Sequence, residues 1–597
     1  MKKLKLLSLG AITLAGIAAV TLTSCSGNKV YDIYGIGTTG KVQKYGTGSL
    51  EFKKDSTIPY INIEEGVNLL SVVRSSNLDD NNCVFSIKKD GNDYVLSNET
   101  GAKCVISSAN QTLTYDDYDK FTNVIKDPQK PLSILTLKKD SKAIKLIDNQ
   151  YTPGKQVVVD LKPYTRLDIY ENNGKCYLPL SVFNSVLFNT FENMSLAYNG
   201  KNLFFIPGDS LTVKSSLGPV LTDLGEKFRE GATTTYTQEY AEYYYQSVCL
   251  DFDYVYGLKE KFTSFDKFLT DGGWKNYLIS TDPRQVDNYT HIALSYLNDG
   301  HTALSDFSNM YEYGTDQLDI TEKVYKPKFE WLDNSEKFAK TKSDAGITDG
   351  IEYKNDTAFV TFKKFSDIDE NKLYSLNNKK DDDDFTGSDG KPGLDFDSLF
   401  GIETNTAELF SKLYRELTTT SHKDTTKNIV VDLSANDGGS ADSLIYSLSV
   451  LIGDVYFDMT NPLSGGHNHQ TYKADMNLDG KVDSQDKCLA DWNYNIYFVN
   501  SKYSFSSANA MPVVAKINRP NVVMLGEKTA GGPCSVRHNV TPLGNVIVSS
   551  SLNTISKLEN GRYVNIDGGV PADFPLTEEQ MNDRDYIVQK INSWKLN

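Results

Sequence analysis

Three segments of this chain contain residue types that could together carry out acyl transfer. His301 follows an Asp-Gly pair, Ser506–Ser507 precede Ala508, and Gly438–Gly439 come shortly after an apolar run. Acyl transfer needs a nucleophile, a base that takes its proton, and N–H donors for the oxyanion that develops. A serine, a histidine and glycines that leave the backbone open to close approach can supply these three parts.

The two serines lie where a strand is predicted to run into a helix. The run Ile496–Val499 predicts the strand, and the residues from Ala508 onward favour the helix. A serine at such a junction has an exposed hydroxyl and the positive end of a helix dipole behind it. Pro512 leaves the exact start of the helix open, so Ser506 and Ser507 are both candidates.

A second constellation, in residues 475–486, has the ligand spacing of an EF-hand loop. Gly480 stands at loop position 6, where that loop turns sharply. The oxygen ligands would be the side chains of Asp475, Asn477, Asp479, Asp483 and Asp486, with the carbonyl of Lys481. The sequence therefore predicts a structural calcium ion here, with an Asp-rich turn as the alternative, and no cofactor for the chemistry itself.

The elements that must position these groups change in type along the chain. Residues 26–210 contain short β-type runs such as Val157–Leu161, and residues 211–300 follow a helical period that includes Tyr243–Tyr245. After residue 355, strands at 358–362, 429–432, 496–499, 522–525 and 546–548 alternate with helical segments. The polar stretch 377–391 is expected to be a solvated loop.

Two stretches of the first region look alike. Ile58–Ile63 and Cys176–Leu180 each read as a strand that runs into a short amphipathic helix. They resemble the small repeat domain at the start of copper amine oxidases and on many Gram-positive surface proteins. That resemblance implies a noncatalytic accessory domain, and the region has no histidine cluster that would imply copper.

The first 25 residues have the pattern of a targeting segment. Three lysines precede the apolar stretch 6–20, which is too short to read as a spanning helix. Leu22–Cys25 resembles a bacterial lipobox, in which Cys25 is lipidated and becomes the new N-terminus after residues 1–24 are removed. The expectation is a lipoprotein on the extracellular face of the cell membrane, with an ordinary secretory signal as the alternative.

Composition excludes some classes of partner. The net charge of −16 argues against nucleic acid, because there is no basic surplus to neutralise phosphates. The cysteines beyond Cys25 are scattered and form no Cys-x-x-Cys pair, so zinc and redox motifs are excluded. Cys83 and Cys104 could form a disulfide, and buried free thiols fit their spacing equally well.

Taken together and in order, the motifs resemble peptidase family S41, the C-terminal-processing and tricorn peptidases. The resemblance covers about residues 211–597. It rests on the segments Asp299–Thr302, Ile429–Gly439, Phe505–Ala510, Gly526–Gly532 and Gly569–Asp573. It implies a crotonase-like (ClpP/crotonase) α/β core with a helical N-terminal subdomain and a β-rich (α+β) accessory domain before it.

The resemblance also assigns roles to residues. Ser507 is preferred over Ser506 as the nucleophile, because the family's serine is followed by Ala and because its distance from Gly526 fits. Gly438–Gly439 and the N–H of Ala508 would form the oxyanion hole.

The base expected from the resemblance is His301. Processing peptidases of the family use a lysine at the position of Gly532, and Lys528 lies four residues too early. The tricorn-like branch uses a histidine, and His301 stands in the matching element. Asp567 is the nearest candidate for the acid that orients the imidazole, slightly out of register.

The sequence thus predicts a lipid-anchored, extracytoplasmic serine endopeptidase that acts on peptides or proteins. Its predicted parts are the signal peptide 1–24, an accessory domain 25–210, a helical subdomain 211–355 and a peptidase core 356–597 that contains the calcium loop. No PDZ-like segment is evident between His301 and residue 358. The alternative is a catalytically inactive scaffold that binds ligands or peptides at the cell surface.

Overall fold

The computed structural model describes residues 29–37, 40–77, 85–98, 100–123, 141–189, 194–208, 210–215, 218–233, 235–306, 326–376 and 405–594. The predicted leader, Cys25, Cys83 and the stretch 377–391 lie outside these ranges. Within the ranges, no helix is both long enough and apolar enough to cross a membrane. The cysteines that the structure describes are buried free thiols.

A six-stranded sheet forms the centre of the second half of the chain. Its buried strands follow the apolar runs of the sequence, and the strands predicted from 358, 429, 496 and 522 are confirmed. The first strand pairs antiparallel with the second, and all later pairs are parallel. The order is Gly350–Lys354, Thr357–Thr361, Asn428–Asp432, Asn495–Asn500, Val523–Gly526 and Phe574–Pro575.

Helices cover both faces of this sheet, so the fold is mixed α/β as predicted. On one face pack the helices Thr406–Thr419, Ala441–Ile452 and Ser507–Asn518. On the other lie Lys326–Asp344 and Arg584–Trp594. Shorter helical segments span Glu370–Ser375, His422–Thr425, Leu489–Trp492 and Glu578–Met581.

A seven-stranded antiparallel sheet stands beside it. Its main path runs Ala303–Asp306, Val546–Glu559, Val455–Thr460, His467–Ala474 and Ile144–Thr152, and Cys534–Val540 and Arg562–Asn565 also pair with Val546–Glu559. The edge strand Ile144–Thr152 comes from the region predicted to be a separate accessory domain. The boundary predicted at residue 210 is therefore crossed by a shared sheet.

The rest of residues 29–221 forms smaller sheets. The two look-alike stretches pair with each other, with Ile61 opposite Leu178, and each runs into a helix. The four-stranded sheet contains Met194–Tyr198, Leu203–Pro207, Lys29–Ile36 and Val42–Leu50, and the three-stranded sheet contains Tyr170–Asn172, Lys175–Pro179 and Tyr60–Asn62. The five-stranded sheet contains Ser86–Asp90, Asp93–Ser97, Lys103–Ser107, Thr112–Tyr115 and Val157–Asp160. Thr212–Ser215 pairs with Gly218–Leu221 in a two-stranded sheet. The helices are Ile63–Asn77, Tyr118–Asn123 and Leu180–Phe183, which continues as a π-helix over Asn184–Phe188.

The helical character predicted for residues 211–300 holds from Asp223 onward, whereas residues 212–221 form two paired strands. Thr237 caps the longest of these helices by accepting a hydrogen bond from the N–H of Tyr240, and Tyr243–Tyr245 are buried in its packing face. The helices are Asp223–Arg229, Gln238–Val255, Phe265–Asp271, Lys275–Leu278 and Pro283–Ser295, with a 3₁₀ turn at Lys259–Lys261. The last helix leads into the turn that carries His301.

Candidate active site

Three turns meet at one edge of the six-stranded sheet. They follow the strands that end at Asp432, Asn500 and Gly526, and parallel strands deliver their carboxyl ends to the same edge. Hydrogen bonds join the turns: Ser504 Oγ donates to Leu433 O at 2.7 Å, and Ser506 N donates to Gly531 O at 2.9 Å. We call these the glycine turn (433–439), the serine turn (501–506) and the third turn (527–532).

Ser506 occupies a conformation that few non-glycine residues adopt. Its φ is 55° and its ψ is −121°, and it immediately precedes the helix Ser507–Asn518. Such backbone costs about 1–3 kcal/mol and persists only where the surroundings enforce it. The side chain is partly exposed, and none of the residues that the structure describes forms a hydrogen bond with its hydroxyl. The junction therefore presents the Ser506 hydroxyl at the positive end of the helix.

The predicted nucleophile, Ser507, lies one residue further into the helix. The residue is 7% exposed, and its hydroxyl donates to Gly439 O at 2.8 Å. The N–H of Ala508 donates to Phe505 O at 3.0 Å. The hydroxyl of Ser507 and the N–H of Ala508 are thus both engaged within the fold.

The glycine turn packs directly against the serine turn. A Cβ on Gly438, whose φ is 102°, would lie 2.6 Å from Ser506 Cβ, so only glycine fits. The N–H of Gly438 donates to the side chain of Asn436 at 2.8 Å. Among the described residues, by contrast, the N–H groups of Gly439 and Ser507 donate to no protein acceptor. These two N–H groups are therefore available to a ligand.

His301 lies in a turn anchored by a buried aspartate. Asp299 Oδ1 accepts the His301 N–H at 3.0 Å, and its other oxygen accepts the hydroxyls of Tyr256 at 3.0 Å and Thr302 at 2.6 Å. The imidazole is partly exposed, and its centroid lies 4.7 Å from the ring of Phe505. The structure thus brings His301 to the serine turn, although the two are far apart in sequence.

Asp567 lies beside the third turn. Its carboxylate accepts the N–H of Gly532 at 3.4 Å and pairs with Lys261 at 3.2 Å. Lys261 also donates to Asn298 O at 3.2 Å, in the turn 298–302 that carries His301 and that we call the histidine turn. Asp567 is therefore linked to the histidine turn through Lys261. Lys528, the alternative base, is exposed.

A buried ionic cluster, which the sequence did not reveal, supports the glycine turn. Asp432 ends the central strand and is 1% exposed; it accepts hydrogen bonds from Lys342 and, at 2.8 Å, from Arg584. Burial opposes its charge, but the two cations hold the pKa of Asp432 well below its usual range. Lys342 also donates to Ser434 at 2.9 Å. An acid that ends a buried strand is the one sequence signal that could have pointed to this cluster.

The predicted calcium loop follows the strand His467–Ala474 and precedes Asn495–Asn500, which leads to Ser506. Asp475 and Asp486 are buried, and Asp486 accepts the N–H groups of Met476 and Asp483, both at 2.8 Å. Burial and the neighbouring charges raise the pKa of Asp475, against hydrogen bonds from Tyr374 and the Gly480 N–H. An all-oxygen donor set of this kind suits calcium.

The acidic side chains of the predicted calcium loop, residues 475–486, are not already gathered around a common ion position. Across the described ranges, no group of three or more His, Cys, Asp or Glu side chains is arranged to hold a metal ion. The remaining predicted ligands, Asn477, Asp479 and Asp483, instead accept N–H groups of the loop itself at 2.8–2.9 Å. Calcium binding would therefore require these side chains to draw together.

Comparison with known families gives one match. Residues 394–574, less than a third of the chain, match the model of peptidase family S41. The matched segment includes the glycine, serine and third turns and begins after His301, so it does not contain that residue. No curated protein matches the chain.

Several solved structures are distantly similar. A lipoprotein from Streptococcus agalactiae shares 16% identity over 59% of this chain and 95% of its own, with a TM-score of 0.34. The tricorn protease shares 10% identity over 94% and 61%, with a TM-score of 0.29. The photosystem II D1 C-terminal processing protease shares 13% identity over 39% and 46%, with a TM-score of 0.25. With TM-scores this low, the likenesses carry no conclusion about this chain.

Proposed function

We propose that this chain, a serine-type peptidase by its S41 match, cleaves peptide bonds with Ser506 as nucleophile and His301 as base. The observation that carries the proposal is the strained Ser506 backbone, held at the sheet edge between the glycine turn and a helix N-terminus. Strain of this kind is characteristic of functional sites, where it aims a reacting group.

Ser506 is proposed in place of Ser507, which the sequence favoured. The hydroxyl of Ser507 points to Gly439 O and is buried, so it would have to leave a hydrogen bond to attack a substrate. The hydroxyl of Ser506 has no such partner among the described side chains and carbonyls. Ser507 then contributes through its backbone N–H and not through its hydroxyl.

The proposed oxyanion donors are the N–H groups of Gly439 and Ser507. Both are free of protein acceptors in the part of the chain that the structure describes, and Ser507 lies at the positive end of its helix. Gly438 contributes by letting the glycine turn and the serine turn approach closely. The N–H of Gly438 itself donates to the side chain of Asn436. Removing one such donor typically slows acyl transfer by about 10²–10³-fold.

The reaction follows from these roles. Ser506 Oγ attacks the scissile carbonyl carbon, and its proton passes to the His301 imidazole. The carbonyl oxygen becomes an anion that the two N–H groups stabilise. The imidazolium then gives its proton to the leaving amine, the acyl-enzyme forms, and water activated by His301 releases the product acid. Asp567 is proposed to support the histidine turn through Lys261.

The alternative is an inactive scaffold that binds peptides without cleaving them. A fluorophosphonate probe distinguishes the two, because it modifies only an activated serine. We expect the mature protein to be labelled on the peptide that contains Ser506. A folded protein that resists the probe and cleaves none of a mixed peptide library would support the scaffold.

Calcium is the second ligand that we propose. Because burial raises the pKa of Asp475, its charged form is costly in the folded protein, and a bound cation would remove that cost. We expect calcium to raise the melting temperature. At a free calcium concentration of about 100 times Kd, the free energy of unfolding should increase by about 2.7 kcal/mol. The stability gained from calcium should be smaller at pH 5 than at pH 7. At the lower pH, protons compete with calcium for the Asp475 carboxylate, whose pKa is raised.

Differential scanning fluorimetry of the mature protein measures this effect. Magnesium at equal ionic strength serves as the ion control, and Asp475→Ala with Asp479→Ala should lose the calcium response. An unchanged melting temperature of the unaltered protein at millimolar calcium would remove the calcium proposal.

Lipid anchoring through Cys25 is the third proposal and follows from the lipobox pattern. A diacylated cysteine holds two acyl chains in the bilayer, enough for stable attachment. We expect Cys25→Ser to release the protein from the membrane fraction or to stop its maturation, as followed by cell fractionation and immunoblotting. Unaltered protein found entirely in the medium with a free N-terminus would contradict it.

A further inference from the structure

The ring of Phe505 lies where the turns of the candidate site meet. Its centroid is 4.7 Å from that of His301 and 6.1 Å from that of Trp331. A Cβ on Gly300, next to His301, would lie 2.4 Å from Phe505 Cζ, and a Cβ on Gly532 would lie 2.5 Å from Phe505 Cε2. The ring therefore fills the space between the histidine turn and the third turn.

The backbone of Phe505 is fixed as firmly as its ring. Its N–H donates to Asn436 O at 3.3 Å, in the glycine turn, and its carbonyl accepts the Ala508 N–H at 3.0 Å. The same carbonyl would lie 2.8 Å from a Cβ on Gly438. Phe505, which directly precedes Ser506, thus contacts each of the turns that carry the proposed catalytic groups.

We propose that Phe505 is a positioning residue that sets the His301 imidazole against Ser506, and that Gly300 lacks a side chain because this ring occupies its place. The inference rests on the proposed function. A planar ring with only two side-chain torsions holds its neighbours at a fixed separation. A misplacement of about 1 Å between reacting groups can cost about 10²-fold in rate.

Gly300 gives the proposal a sharp test. The three nearest atoms to its built Cβ all belong to the Phe505 ring, and its φ is not in the region that favours glycine. Gly300→Ala should therefore be harmful only while the ring is present. Gly568→Ala is the matched control, because its φ is also ordinary and no atom lies within 4 Å of its built Cβ.

The experiment is a double-mutant cycle on the full mature chain. We expect Gly300→Ala and Phe505→Ala each to lower kcat by about 10–100-fold, and the double variant to be no slower than Phe505→Ala alone. KM should change by less than threefold, and Phe505→Leu, which restores part of the volume, should recover part of the loss. Gly568→Ala should behave as the unaltered protein.

Two outcomes would overturn the proposal: multiplicative losses in the double variant, or unaltered kcat in folded Phe505→Ala. The cycle is also measured in melting temperature, which does not depend on catalysis. Gly300→Ala should lower it in the presence of Phe505 and not in its absence. A third outcome is thermal coupling between Gly300 and Phe505 together with full activity of His301→Ala. In that case Phe505 packs against Gly300 as described, but His301 is not the base. The proposal that Phe505 positions a base is then overturned.

Discussion

Replacing Ser506 by Ala is expected to abolish fluorophosphonate labelling and to lower kcat by about 10⁴–10⁶-fold, as loss of the nucleophile does in other serine peptidases. Ser507→Ala should cost about tenfold or less, because it removes one hydrogen bond to Gly439 O and leaves the Ser507 backbone N–H in place. The two neighbouring serines therefore form a matched pair, in which only one hydroxyl is required.

Both variants are to be compared by peptide hydrolysis, probe labelling and melting temperature. Equal melting temperatures exclude unfolding as the cause of lost activity. Labelling that survives Ser506→Ala and disappears in Ser507→Ala would return the nucleophile to Ser507, as the sequence predicted. Labelling that survives both changes would place the reactive group elsewhere.

His301→Ala is expected to cost about 10³–10⁶-fold in kcat/KM, because it removes the proposed base for the Ser506 proton. A histidine base must be neutral to accept that proton. In the unaltered protein, kcat/KM should therefore rise with pH as the imidazole loses its proton and fall as the pH is lowered.

Lys528→Ala is the control for this prediction. Lys528 is exposed and takes no part in the proposed proton transfer, so its removal should change kcat/KM little. Full activity of a folded His301→Ala variant would end the histidine mechanism. Loss of activity in Lys528→Ala alone would move the base to the lysine.

The strands of the core could be predicted because each is encoded locally. Ile429–Val431 is a run of apolar residues that favours burial on both sides, and it lies in a strand buried along its whole length. The helix Gln238–Val255 likewise repeats its apolar residues at helical spacing. The matched segment 394–574 agrees with the family expected from the glycine and serine motifs.

The contacts of the site could not be predicted in the same way. Asp432 meets Lys342 and Arg584 across 90 and 152 residues, and no local pattern pairs them. The conformation of Ser506 is imposed by neighbouring turns, since serine alone does not favour a positive φ. The strand Ile144–Thr152 joins a sheet whose partner lies more than 300 residues later, so composition alone suggested a separate domain.

The cluster around Asp432 has a consequence for the order in which this protein matures. Arg584 is synthesised about 150 residues after Asp432, so the buried carboxylate lacks one of its two cations until the helix Arg584–Trp594 has been made and has docked. Removing the partner of a buried ion costs about 3–5 kcal/mol, and loss of one of two partners costs part of that. We therefore expect the glycine turn beside it to form only once this helix has docked, so that the proposed hydrolytic site would stay inactive in the shorter nascent chain.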